Sequence, residues 1–138
     1  MEMQVLTRLL HETNCSCVIG NREIRTFSRP GIIDIYDLLY CNWNFLSGSC
    51  VADRVVGKAA ASLLILGGVK RVYADVISCQ AYSMFEDHNL EAEYKDMVGF
   101  IWNRHHTDPC LLEKLCCKEN DLMKILDIID RFIRCKMA

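Results

Sequence analysis

The chain is short of the features that mark several large functional classes. It has two prolines and seven glycines in 138 residues, and no Pro-, Gly- or Ser-rich stretch that would link separate domains. One domain, spanning 1–138, is the natural reading. Neither sign of charge dominates: 16 Lys and Arg against 18 Asp and Glu give a net charge of −2, and no basic run exceeds a pair. A broad field attracting nucleic acid or an anionic membrane surface is thereby excluded. The longest apolar run, Ala59 to Val69, is about half of the roughly 20 residues that a bilayer-spanning helix needs. No GxGxxG, HExxH or CxxC occurs, and Gly57-Lys58 lacks the glycine and the hydroxyl of a phosphate loop, because Ala52 and Ala59 stand in those places.

What is present is material for a core. Hydrophobic residues make up 51 % of the chain, and a chain of this length buries roughly two-thirds of its unfolded surface. Nine cysteines are too odd a number to pair completely, and MEMQVLTRLLHE has acidic residues where a signal peptide has an apolar core. The thiols read as small buried hydrophobes kept reduced, and the expected location is cytoplasmic.

Hydrophobic spacing then orders the elements. Val5, Leu6, Leu9 and Leu10 share one face of a helix over about 2–12. CSCVI and EIRTF flank Gly20-Asn21, a pair suited to the positive φ of tight hairpins. Ile32, Ile35, Tyr36 and Leu39 follow helical spacing, and VADRVVGKAAASLLILGG reads as one helix ended by Gly67-Gly68. RVYADVI is a buried strand, Ser78 caps the helix CQAYSMFEDHN, and LEAEY alternates as a strand. Asp108-Pro109 reads as a helix start. In the last helix Leu122, Ile125, Leu126, Ile129, Phe132 and Ile133 form one stripe. Consecutive strand–helix units predict right-handed crossovers and a mixed sheet with helices on both faces, entered by an N-terminal β-hairpin.

VADRVVGKAAASLLILGGVKRVYADVIS followed by NRHHTDPCLLEKL resembles a bacterial family of uncharacterised proteins with a cytidine-deaminase-like fold. The resemblance spans about Asn14 to Leu115. It rests most on Ala52 to Ala60, with Asn103-Arg104, Cys110 and Glu113 in support. It implies a three-layer α/β/α sandwich over about 2–118, with the final helix, about 120–135, beyond it.

A zinc deaminase needs a His or Cys with a nearby catalytic Glu, and a PCxxC pair. Here Cys50-Val51-Ala52-Asp53 has one residue too many and a shorter acid, and in Ser78-Cys79-Gln80-Ala81-Tyr82 a tyrosine replaces one thiol. Cys50 and Cys79 alone would remain near the metal position, one short of the usual three protein ligands. His106, Cys110, Cys116 and Cys117 have gaps too irregular for a zinc set. No metal and no cofactor are expected.

A cleft at the helix N-termini could still bind an anion. On a helical reading Asp53 and Gly57 share one face and Arg54 and Lys58 another. Asp53 would accept ligand hydrogen bonds, Lys58 and Arg104 would supply positive charge, and Asn103 would orient the ligand. Cys110, placed in a first helical turn after the Asp108 cap, would be the reactive thiol, with Glu113 one turn on. The reading is of a small-molecule-binding protein for an anionic or nucleotide-like ligand, with Cys110, Glu113 and Asp53 as candidate catalytic groups. A non-catalytic module that assembles, for instance as a homodimer, through the final helix is the alternative.

Overall fold

The structure is a computed structural model that describes residues 2–29, 31–103 and 107–137. Its elements are α1 (Met3–Glu12), β1 (Cys17–Gly20), β2 (Ile24–Phe27), α2 (Ile33–Cys41), α3 (Trp43–Leu46), β3 (Cys50–Val56), α4 (Lys58–Leu66), β4 (Arg71–Ser78), α5 (Cys79–Asp87), β5 (Glu91–Val98), α6 (Leu111–Cys116) and α7 (Leu122–Met137). The five strands form one mixed sheet in the order β2-β1-β3-β4-β5. β1 runs antiparallel to both neighbours, whereas β3, β4 and β5 are parallel. Helices α4 and α5 supply the crossovers between the parallel strands, which a hairpin cannot make.

The expected hairpin is present, but its turn differs. Gly20 ends β1, and the turn is closed at Asn21 and Glu23, where Asn21 N–H donates to the Glu23 carbonyl at 2.9 Å. Neither Gly20 nor Asn21 takes a positive φ. The Asn21 amide instead donates to the carbonyls of Phe45 (2.7 Å) and Ser47 (3.0 Å), tying the hairpin to the end of α3.

The largest correction concerns residues 50–57, read as the front half of a long helix. They form β3, and α4 begins at Lys58. β3 pairs with β4 from Cys50↔Arg71 to Val56↔Ile77, but the register passes over Arg54 and Asp75. Beyond that level the face turned to the main core changes parity, from Val51 and Asp53 to Val56, and from Val72 and Ala74 to Ile77. Apolar residues therefore fall at 51, 52, 55 and 56, a spacing that mimics a helix.

Two clusters cover the sheet. On one face Leu6 and Leu10 of α1 pack against Val18, Cys50 and Ala52. On the other lies the main core, in which α4 is buried nearly all round, from Lys58 through Leu64. Gly68, at φ +75°, closes α4 in a left-handed conformation, and its carbonyl receives the N–H of Gly48 at 2.7 Å. Ser78 Oγ accepts from the N–H of Ala81 at 3.1 Å, so the expected cap of α5 is in place. The stripe of α7 faces inward: Ile125, Ile129 and Ile133 are buried in the main cluster. Asp121 caps that helix by accepting from the N–H groups of Met123 and Lys124, and Asp130 on its flank accepts from the hydroxyls of Tyr36 and Tyr40. Among the described residues no helix is long and apolar enough to cross a membrane.

Candidate functional site

A cavity of about 740 Å³ opens at the carboxyl end of β3, against the starts of α2 and α4, and is closed by residues 101–103 and 110–113 and by Phe132 and Ile133 of α7. This is where open parallel sheets commonly place ligands, and the volume suits a small molecule. A second hollow of about 770 Å³ lies between the hairpin turn and α3. Its polar groups hold the turn together: Asn21 is bonded as above, Arg25 pairs with Glu23, and the Arg25 guanidinium lies 4.0 Å over the Phe45 ring.

Asp53 is the last core-facing residue of β3 before the change of parity, and it is 8 % exposed. Burial raises its pKa to about 7, overriding the backbone N–H groups of Val55 and Arg54, which stabilise the anion; nearby Asp75 adds to the rise. The Arg54 guanidinium gives little relief, because it points to the opposite face of the sheet. There Nε donates to the Cys15 carbonyl at 2.7 Å and Nη2 to those of Leu10 (2.6 Å) and Thr13 (3.1 Å), closing the end of α1. Cys17 lies opposite Asp53 in the β1–β3 ladder, and burial first, then the Asp53 charge, pushes its thiol well up.

Glu113 is the second buried carboxyl of the cavity, also 8 % exposed. It reaches from α6 to the start of α4 and accepts from the N–H groups of Lys58 and Ala59. Burial raises its pKa, while those two amides and the Lys58 charge oppose the rise. Gly57, the residue before α4, makes the approach possible. A Cβ there would stand 1.8 Å from Glu113 Oε1. The free amides at the head of α4 are thus met by the chain's own carboxylate, a cap supplied from a distant element.

The other expected site residues divide. Asn103 and Cys110 line the same cavity as Asp53 and Glu113. Asn103 is tied into its own loop, accepting from Thr107 N–H and donating to Thr107 Oγ1, both at 3.1 Å. Cys110 does not occupy a first helical turn. Pro109 bridges to Trp102, Cys110 N–H donates to the Ile101 carbonyl at 2.7 Å, and α6 starts only at Leu111. Asp108 is therefore not the cap of α6; it pairs with Lys114 at 3.5 Å. The ammonium of Lys58 is buried on another side of α4, donating to the Cys117 carbonyl (3.2 Å) and Asn120 Oδ1 (3.0 Å). Arg104, together with His105 and His106, lies outside the described residues. The shared helical faces expected for Asp53 with Gly57 and for Arg54 with Lys58 do not exist, since 53 and 54 belong to a strand.

The cysteines named for a metal position do not meet. Cys50 lies level with Arg71 at the start of the parallel strands and Cys79 follows the far end of β4, a separation of roughly 20–25 Å along the strand. Among the described residues no three His, Cys, Asp or Glu side chains are grouped to hold a metal. The donors therefore do not fit the zinc that the deaminase resemblance implies.

The chain belongs to the family described as TM1506, domain of unknown function (DUF1893), whose model matches residues 5–133. That match runs through most of α7, so the final helix is part of the family and not an addition beyond Leu115. The chain is also similar to a solved structure, the crystal structure of a DUF1893 family protein (TM1506) from Thermotoga maritima. The TM-score is 0.85 at 25 % sequence identity, over 94 % of this chain and 90 % of that one. No curated protein matches.

Proposed function

We infer that the protein is a small-molecule-binding domain whose ligand sits in the Asp53 cavity. One observation carries this reading: two carboxyls from separate elements, Asp53 of β3 and Glu113 of α6, are both buried and both face one cavity at the strand ends. Glu113 already accepts from the N–H groups of Lys58 and Ala59, so the ligand supplies N–H or O–H groups to Asp53, in addition to the backbone N–H groups of Val55 and Arg54. Among the described residues, the features that favoured an anion are engaged elsewhere, since Glu113 holds the first amides of α4 and Lys58 points to Cys117 and Asn120. A nucleoside-like ligand with ring N–H groups suits the cavity better than one bound through a phosphate.

Asp53, with a pKa of about 7, holds or releases a proton at neutral pH and serves as the acid–base group if the ligand is transformed. Cys110 also lines this space. The cytidine-deaminase-like character suggested by the sequence is kept as a reading of the fold alone, because the zinc donors are not brought together.

Assembly through the final helix is the weaker alternative, because the stripe of α7 is buried in the main core. The test is a thermal-shift and NMR screen of the full chain with nucleobases, nucleosides and nucleotides. Binding of nucleosides that is lost in Asp53→Asn supports the reading. Stabilisation only by phosphate-bearing ligands, unaffected in Asp53→Asn, or by none, would overturn it.

A further inference from the structure

The walls and the polar groups of this cavity differ in chemistry, and the difference narrows what it takes. Apolar side chains, among them Ile33, Val55, Ile101 and Phe132, make most of the lining. Trp102 borders the same space while 45 % exposed, with the Phe100 ring edge-on at 4.6 Å. Among the described residues, the buried polar groups that line it are acids, Asp53 and Glu113. Arg54 has its guanidinium bonded to three carbonyls on the other face of the sheet.

We propose, building on the ligand-binding reading above, that the cavity selects a flat apolar molecule bearing a cationic or amidine-type head, the head paired with Asp53 and the body lying against the apolar walls and Trp102. An anionic head would be desolvated beside two acids, and a purely apolar body would offer Asp53 no donor beyond the backbone N–H groups of Val55 and Arg54. A planar N–H⁺ donor meets a carboxylate through two parallel, charge-assisted hydrogen bonds, and a cation near an indole face gains further attraction. Glu113 stays on α4 and shapes the space beside the head.

The charge class is tested with four probes on the full chain: benzamidine, benzyl alcohol, benzoate and inorganic phosphate. The indole N–H resonance of Trp102 reports on the cavity, and that of Trp43, which lines the other hollow, is the control. Benzamidine is expected to shift Trp102 but not Trp43, and to bind about tenfold or more tighter than benzyl alcohol, with benzoate and phosphate silent. Asp53→Asn removes that preference; Glu113→Gln, which keeps an acceptor on α4, retains it and serves as a folded comparison. Benzoate or phosphate binding as tightly as benzamidine, or a benzamidine preference that survives Asp53→Asn, would overturn the proposal. Nucleosides that shift Trp102 where benzamidine does not would sink the charge class alone; no shift by any compound removes the ligand-binding reading with it.

Discussion

The carboxylate of Glu113 occupies the space that a side chain at residue 57 would fill, since a Cβ on Gly57 would lie 1.8 Å from Glu113 Oε1. The same carboxylate caps α4 through the N–H groups of Lys58 and Ala59. The glycine, the cap and the floor of the cavity are therefore one arrangement.

Gly57→Ala is expected to expel Glu113 from the head of α4 and to destabilise the protein by about 1–3 kcal/mol, the range for a lost cap with a buried carboxyl left unpaired. In urea unfolding, Gly57→Ala combined with Glu113→Ala should cost clearly less than the sum of the single changes, because both act on one interaction. Additive losses would show that the two residues are independent.

Asp53 supplies a pH dependence whose sign is unusual for a carboxyl. Its folded pKa of about 7 lies above the unfolded value, which is near 4. Between those values the folded state holds a proton that the unfolded state has lost. The contribution is fully present below about pH 4 and is lost as pH rises through about 7. Asp53→Asn should flatten the stability profile between pH 4.5 and 7.5, gaining on the order of 2–4 kcal/mol over the native chain across that interval. Chemical denaturation at a series of pH values measures it; parallel profiles would show that Asp53 does not titrate in this window.

Lys58 stands for a position whose role the structure reassigns. Lys58→Met keeps much of the buried stem but leaves the Cys117 carbonyl and Asn120 Oδ1 without their donor. A loss of about 2–4 kcal/mol is expected from breaking a buried, charge-assisted pair of bonds. Hydrogen exchange should rise first at the α6–α7 junction. A ligand-binding defect without loss of stability would return Lys58 to the site.

The final helix belongs to the core. Ile129→Ala removes a fully buried side chain of the main core, and should cost about 2–5 kcal/mol. A chain ending at Asn120 should lose cooperative unfolding in calorimetry. If it instead stays folded and changes only its sedimentation, α7 serves assembly and the alternative reading gains.

The parts of the fold legible in the sequence were those where spacing follows one rule. The stripes of α1 and α7 repeat at three and four, Ser78 and Gly67-Gly68 sit where caps and stops belong, and RVYADVI is bounded by turn signals. β3 was misread because the parity of its inward face changes between Asp53 and Val56, which sets apolar residues four apart. The start of α6 was misread because Asp108-Pro109 has every local mark of a helix start, yet Pro109 is held by the bridge to Trp102. Asp53, Asn103, Cys110 and Glu113 were legible as chemistry-bearing residues. That Glu113 caps α4 had one faint signal, a glycine directly before an alanine-rich helix that offers no side-chain cap of its own.

By itself the sequence determined the order of most elements, the absence of a strong charge field and the inward face of the last helix, because these depend on composition and on neighbours a few residues apart. Only the tertiary structure decided which polar groups meet. Asp53 and Glu113 are 60 positions apart, and a cap, a cavity or a raised pKa exists only when packing brings such groups together and removes the water between them. The same packing took Lys58 away from the site and separated Cys50 from Cys79, although nothing in their local sequence distinguishes them from residues that converge.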